Sequence, residues 1–71
     1  MIKKGIYRHY KGREYKVHSV ARHSETLEDY VVYEPLYKSE AKFWIRPLAM
    51  FIEDVIVDGK RVPRFEFIRE V

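Results

Sequence analysis

The sequence predicts a mostly β fold: a small SH3-like β barrel of five or six short strands, with one short helix or helical turn near residues 47–53. Three observations point there. Apolar, β-branched and aromatic residues come in short alternating runs, the pattern of half-buried strands. Turn residues separate the runs at Lys11-Gly12 and Asp58-Gly59. Leu48, Phe51, Ile52 and Val55 follow the i, i+3, i+4, i+7 spacing of a short helix. An open α+β sheet is the alternative arrangement of the same elements.

Residues 5–10 and 13–21 read as two strands joined by Lys11-Gly12. A two-residue turn there sets Ile6 opposite Val17, Arg8 opposite Tyr15 and His9 opposite Glu14. A slip of one residue would instead turn Tyr7 and His9 towards the core. In the second strand Tyr15, Val17, Ser19 and Ala21 alternate with Lys16, His18, Val20 and Arg22, and the first set is expected to face inward. Residues 23–29 break the alternation as a polar loop. Residues 30–37 are apolar on both faces over most of their length, which suits a central strand. Pro35 must then lie where no ladder donor is needed.

Residues 41–46 form the next strand. Arg46 precedes a proline and is pushed to extended geometry. Pro47 can open the helix, where its missing N–H costs nothing. Val55–Val57 and Lys60–Val62 flank Asp58-Gly59, the strongest hairpin signal in the chain. The last strand sets Phe65 and Phe67 on one face and Arg64 and Glu66 on the other.

A chain of 71 residues suits a single domain, residues 1–71. A domain this small buries only about 60% of its unfolded surface. With no cysteine there is no disulfide and no thiolate metal site. Six Tyr, four Phe and one Trp supply the bulk of the core instead. The tyrosines are expected mostly in the core or on half-buried strand positions. Lys3-Lys4 leads into Gly5–Tyr10, which is no apolar signal segment, and no run approaches the ~18 apolar residues of a membrane span. The expected location is the cytoplasm, with no membrane partner.

The net charge of +3 is unevenly laid out, with residues 1–22 at +6, residues 23–58 at −5 and residues 59–71 at +2. Either the basic third faces a polyanion or acidic partner, or basic and acidic strands lie side by side and neutralise each other.

Catalysis is not expected. Gly5, Gly12 and Gly59 are isolated, so no phosphate-cradling glycine loop exists. His9, His18 and His23 lack metal-ligand spacing, and neither a metal nor a cofactor is implied. His23-Ser24-Glu25-Thr26 holds a base, a nucleophile and an acid, but adjacent loop side chains do not converge as a triad does. A barrel of this size also has little room for a water-excluding pocket of about 300 Å³.

Binding is the expected role. Arg22, His23, Ser24 and Glu25 gather donors and acceptors between two apolar strands. The same cluster also reads as a structural turn, in which Ser24 or Thr26 satisfies local backbone groups. Alternation puts Ala41, Phe43 and Ile45 on one face and Lys42, Trp44 and Arg46 on the other. Trp44 then either lies outside between two cations, as an interaction site, or packs beneath the helix with the Lys42 and Arg46 stems on its edges. The leading reading is a non-catalytic module in which Arg22, His23, Ser24, Glu25, Trp44 and Arg46 form a polar-aromatic site for a small-molecule or peptide ligand. The second is nucleic-acid binding through Tyr7, Arg8, Tyr10, Lys11, Arg13 and Lys16, a basic surface interleaved with aromatic rings, against which the acidic middle segment argues. The third is a structural or protein-interaction subunit that pairs through an edge strand.

Several runs carry a resemblance: Tyr7–Gly12, Val20–Glu28, Val31–Tyr33, Trp44–Leu48 with Met50 and Phe51, and Val62–Phe65. In order and content they resemble a family of small bacterial proteins known as domain of unknown function 1653. The likeness runs over nearly the whole chain. It implies a small SH3-like β barrel, but no established activity and no site residues. Lys38–Lys42 looks like an insert that lengthens one hairpin loop.

Overall fold

Tyr, Val and Phe alternating with charged residues lay most of the chain into antiparallel ladders. The computed structural model describes residues 2–71. Its elements are β1 (Gly5–His9), β2 (Glu14–Arg22), β3 (Asp29–Pro35), β4 (Trp44–Pro47), α1 (Leu48–Phe51), β5 (Asp54–Val57), β6 (Lys60–Pro63) and β7 (Phe65–Arg69). Five strands form one sheet in the order β4-β3-β2-β1-β7, and β5 pairs with β6 as a separate hairpin, making seven strands among the described residues where five or six were expected. The fold is mostly β, but the expected closed barrel is not formed by the ladder, because β4 and β7 are unpaired edges. The chain between those edges is taken up by α1 and the inserted hairpin. No helix among the described residues is long and apolar enough to cross a membrane.

The first hairpin takes the slipped register. Tyr7 faces Tyr15 and Arg8 faces Glu14, so Ile6 lies opposite Lys16 rather than Val17. The connection is longer than two residues. Gly12 N–H donates to the His9 carbonyl at 2.7 Å, and His9 N–H donates to the Arg13 carbonyl at 2.8 Å. A three-residue loop ending in a positive-φ glycine shifts the strands by one residue.

Alternation in β2 also changes phase. Tyr15 and Val17 are buried as expected, but the ladder slips between Val17 and Ser19. The extra residue is His18, so Val20 comes to face buried Val31 while Ser19 and Ala21 are exposed. β4 begins at Trp44, not at residue 41, since its pairing with β3 runs only from Tyr30↔Pro47 to Tyr33↔Trp44. Pro47 closes β4 and stands as the N-cap of α1, at φ −51° and ψ 134°, rather than as its first helical residue. α1 buries Phe51 and half-buries Leu48, while Ile52 is left exposed. At the Asp58-Gly59 turn both residues take positive φ, 51° and 76°, as the expected tight hairpin requires.

The core is a single aromatic cluster on the inner face of the sheet. Tyr7, Tyr15, Val17, Val31, Tyr33, Phe51 and Phe65 form it, with Tyr37, Trp44, Leu48 and Phe67 packed on its rim. Phe51 stacks flat on Phe65 at 4.1 Å between centroids. Tyr33 meets Phe51 at 5.6 Å and Phe65 at 5.8 Å. Each ring removed from water in this way stabilises the fold by about 1.5–3 kcal/mol. Buried phenols keep partners: Tyr7 donates to the Lys3 carbonyl at 2.7 Å, and the Tyr15 and Tyr37 hydroxyls meet at 3.0 Å. Burial, and then the bond to Tyr37, pushes the Tyr15 phenol up to about 12.

Gly5 opens β1 at φ +146°, with no room for a side chain. A Cβ there would meet the Arg69 carbonyl and approach Glu70 Cα at 3.2 Å, both backbone atoms that cannot move aside. Gly5→Ala is therefore expected to destabilise the protein by about 2 kcal/mol or more in urea unfolding. Gly12→Ala, where a Cβ would meet nothing within 4 Å, isolates the conformational cost and is expected to lose about 1 kcal/mol. Equal losses at the two sites would contradict this packing.

Candidate functional site

The polar loop between β2 and β3 uses its groups to build itself. Arg22 Nε donates to Asp29 Oδ1 at 3.0 Å. His23 Nδ1 accepts from the Glu25 and Thr26 amides at 3.1 and 3.2 Å. His23 N–H reaches the Glu28 carbonyl at 2.8 Å, and Leu27 N–H reaches the His23 carbonyl at 2.9 Å. Thr26 Oγ1 accepts from the Glu28 amide at 3.3 Å, and Tyr30 donates to Glu28 Oε1 at 2.9 Å. This is the turn-building alternative of the two expected from sequence. No hydrogen bond joins Ser24 to His23 among the described residues. None, and no ring contact, joins Arg22, His23, Ser24 or Glu25 to Trp44 or Arg46.

Trp44 and Arg46 do come together on the inner face of β4. Trp44 lies opposite Tyr33, and Arg46 lies opposite Val31, both of them buried. Of the two positions open to Trp44 from sequence, the structure takes the inward one: Phe43 and Ile45 are the exposed pair, at 48% and 64%. Trp44 is half-buried, and its neighbouring rings are Tyr15, Tyr33 and Tyr37 at 6.0, 6.1 and 6.4 Å.

Arg46, also half-buried, donates from Nε to the Tyr33 hydroxyl over a long 3.4 Å, and its guanidinium lies 5.6 Å from the centre of the Phe65 ring. Among the described residues no carboxylate pairs with it, whereas Arg8, Arg22 and Arg64 are all paired. A half-buried cation without an acid keeps its demand for anionic oxygen.

The slipped first hairpin brings His9 to the same place. Its ring meets the edge of Phe65 at 4.9 Å and lies 4.5 Å from Tyr10. His9 Nδ1 accepts from the Lys11 amide at 3.1 Å, so the neutral ring carries its proton on Nε2. Burial lowers the His9 pKa first, and Arg46, Lys11 and Arg64 lower it further. Arg64 Nη2 donates to Glu53 Oε1 at 2.7 Å, while its Nε is buried and has no partner among the described residues. Arg13 extends the surface by lying 4.4 Å over the Tyr37 ring. The site is thus a ledge presenting the half-buried rings of Tyr37 and Trp44 above the buried Tyr33 and Phe65, rimmed by Arg13, Arg46, Arg64 and His9. Sequence reading placed Trp44 and Arg46 of this set in the small-molecule or peptide site, and Arg13 in the alternative nucleic-acid site. His9 was within reach through the slipped register, but Arg64 carried no signal beyond its charge.

The six residues assigned to nucleic acid are divided. Tyr7 is a core ring, 6% exposed, and cannot stack on a base. Arg8 pairs with Glu14 at 2.9 Å, and Lys16 lies opposite Glu34. Tyr10, Lys11 and Arg13 remain at the β1–β2 turn, beside His9. Between β2 and β3 the contacts Arg22–Asp29 and His18–Glu34 set the basic segment beside the acidic one, as the neutralising alternative expects, while Arg64–Glu53 joins two residues outside the strands. Lys16 also lines an open concavity of about 520 Å³ with Lys3, Lys4, His18 and Glu70. No group of His, Asp and Glu among the described residues is placed to hold a metal ion.

The His9 environment has a pH signature. Its folded pKa lies below the ordinary 6.5, so the unfolded chain takes up the proton first. The stabilisation is complete above pH 6.5 and is lost as pH falls through the folded value. Ring NMR is expected to give a His9 midpoint below 6.5, and His9→Gln is expected to flatten the acid limb of the stability curve. A midpoint at or above 6.5 would contradict the placement of the cations.

The chain is similar to proteins of known sequence and structure. The family described as "Protein of unknown function (DUF1653)" matches residues 5–67. A crystal structure of a DUF1653 protein from Bordetella bronchiseptica is similar at 37% identity and a TM-score of 0.91, with 99% of this chain and 91% of that chain covered. No curated protein matches it. The ordered motifs, the match from β1 into β7 and the shared fold agree: the chain belongs to the DUF1653 family.

Proposed function

We propose that this protein is a non-catalytic binding module with an SH3-like topology, and that its ligand site is the polar-aromatic ledge around Trp44 and Arg46. The strand order β7-β1-β2-β3-β4, with the helical turn between β4 and β7, supports the topology. One observation carries the site: Arg46 is half-buried against Phe65 and has no carboxylate partner among the described residues. Its guanidinium has five donors and spends one on the Tyr33 hydroxyl, which leaves the fork available to an anionic oxygen. Trp44 and Tyr37 beside it offer rings on which the rest of a small molecule or peptide can lie.

NMR mapping with a library of small fragments and short peptides tests this reading. Shifts are expected to concentrate on the Trp44 indole, Arg46, His9 and Tyr37. Arg46→Ala is expected to weaken the responding ligands by roughly 10- to 100-fold, the worth of a charge-assisted hydrogen bond. Trp44→Phe is expected to weaken them less, because it keeps a ring. Shifts confined to the outer face near Phe43 and Ile45, or binding unchanged in Arg46→Ala, would overturn the site.

A further inference from the structure

We infer that the group received beside Arg46 is the phosphate of a small phosphate monoester, whose organic part lies along Tyr37 and Trp44. This rests on the ledge being the ligand site and names the chemistry it takes. Three features argue for it. The first is the balance of charge. Arg46 from β4, Lys11 from the β1–β2 turn and Arg64 ahead of β7 all act on His9, and Glu53 is the one carboxylate paired within this group. A carboxylate ligand would cancel only part of that excess, whereas a phosphate monoester carries about −1.5 to −2 near pH 7.

The second feature is geometry. Guanidinium forks pair with phosphate oxygens through parallel hydrogen bonds, and Arg46 uses only one long bond of its own, 3.4 Å to Tyr33. The third is the His9 tautomer. With Nδ1 occupied by the Lys11 amide, the Nε2 proton remains to be donated to an anionic oxygen. The charged groups that act on His9 are Arg46, Lys11 and Arg64, with the Tyr10 and Phe65 rings against it; Glu66 lines the concavity beside it together with Arg8, and Glu53 is held by Arg64. Burial first, and then these cations, lower the His9 pKa; a bound dianion would offset the part due to the cations and favour the protonated ring.

The concavity between Lys3, Lys4 and Lys16 suits this role less well. Its cations are lysines at exposed or half-exposed positions, and Glu70 shares its lining.

The test titrates the full chain with phenyl phosphate, inorganic phosphate, benzoate and benzyl alcohol at constant ionic strength. It follows the Trp44 indole, the Arg46 Nε–H and the His9 ring by NMR. Phenyl phosphate is expected to bind at least tenfold more tightly than benzoate or benzyl alcohol, and more tightly than inorganic phosphate. At saturation it is expected to raise the His9 midpoint. Arg46→Gln is expected to weaken phenyl phosphate at least tenfold, and Arg46→Lys, which keeps the charge without the fork, several-fold. Benzoate or benzyl alcohol binding the ledge as well as phenyl phosphate would overturn the phosphate assignment and leave the ledge as a ligand site. No response of the ledge to any of the four probes would overturn both. An unmoved His9 midpoint under saturating phenyl phosphate would overturn the part given to His9.

Discussion

Phe65 stacks on Phe51 at 4.1 Å, meets Tyr15 at 5.7 Å and Tyr33 at 5.8 Å, and carries His9 against its edge and Arg46 near its face. It thereby joins β7, α1, β2, β3, β1 and β4. In a cysteine-free chain of 71 residues no covalent tie can do this, and one sheet face must supply the core. Aromatic rings suit that task because each removes a large apolar area and locks its neighbours through edge-to-face contact. The consequence for function is direct. The ring at the centre of the core also lies beneath Arg46 and against His9, so core packing helps to position both.

Charge is organised by the same strands. Cross-strand contacts join Arg8 to Glu14, Arg22 to Asp29, and His18 to Glu34. On the inner face the sheet supplies no acid beside Arg46. The unpaired cation therefore follows from where the strands lie, not from the overall charge of +3. Exposed pairs of this kind add little stability; of the two half-buried arginines, Arg64 has a carboxylate partner and Arg46 has none among the described residues.

Much of the fold was legible from the residues. The short strands, the Asp58-Gly59 hairpin, the helical turn after Pro47 and the inward Phe65 all follow from alternation and turn chemistry. The family was legible too, from the order of its runs. The faces were harder. His18 carries no mark of a bulge, yet its insertion exchanges Ser19 and Ala21 for Val20 on the inner side. Lys11-Gly12 looks like a two-residue turn, yet His9–Arg13 closes a longer one, and that difference brings His9 inward. Trp44 and Phe43 are both aromatic, and only the pairing of β4 with β3 decides which of them faces the core. The Arg22–Glu25 cluster was a plausible site by composition. Its hydrogen bonds close on the loop itself, which composition cannot reveal. Arg64 joins the ledge through tertiary packing alone, as does its pairing with Glu53.

The account turns on Arg46 pointing inward over Phe65. Its side-chain protons report this directly by NMR. An inward Arg46 predicts NOEs from its δ-methylene to the Phe65 ring and methylene shifts moved upfield by that ring. Both should vanish in Phe65→Leu. Random-coil shifts for Arg46 in the unaltered protein, with no NOE to Phe65, would contradict it and remove the link between the core and the ledge.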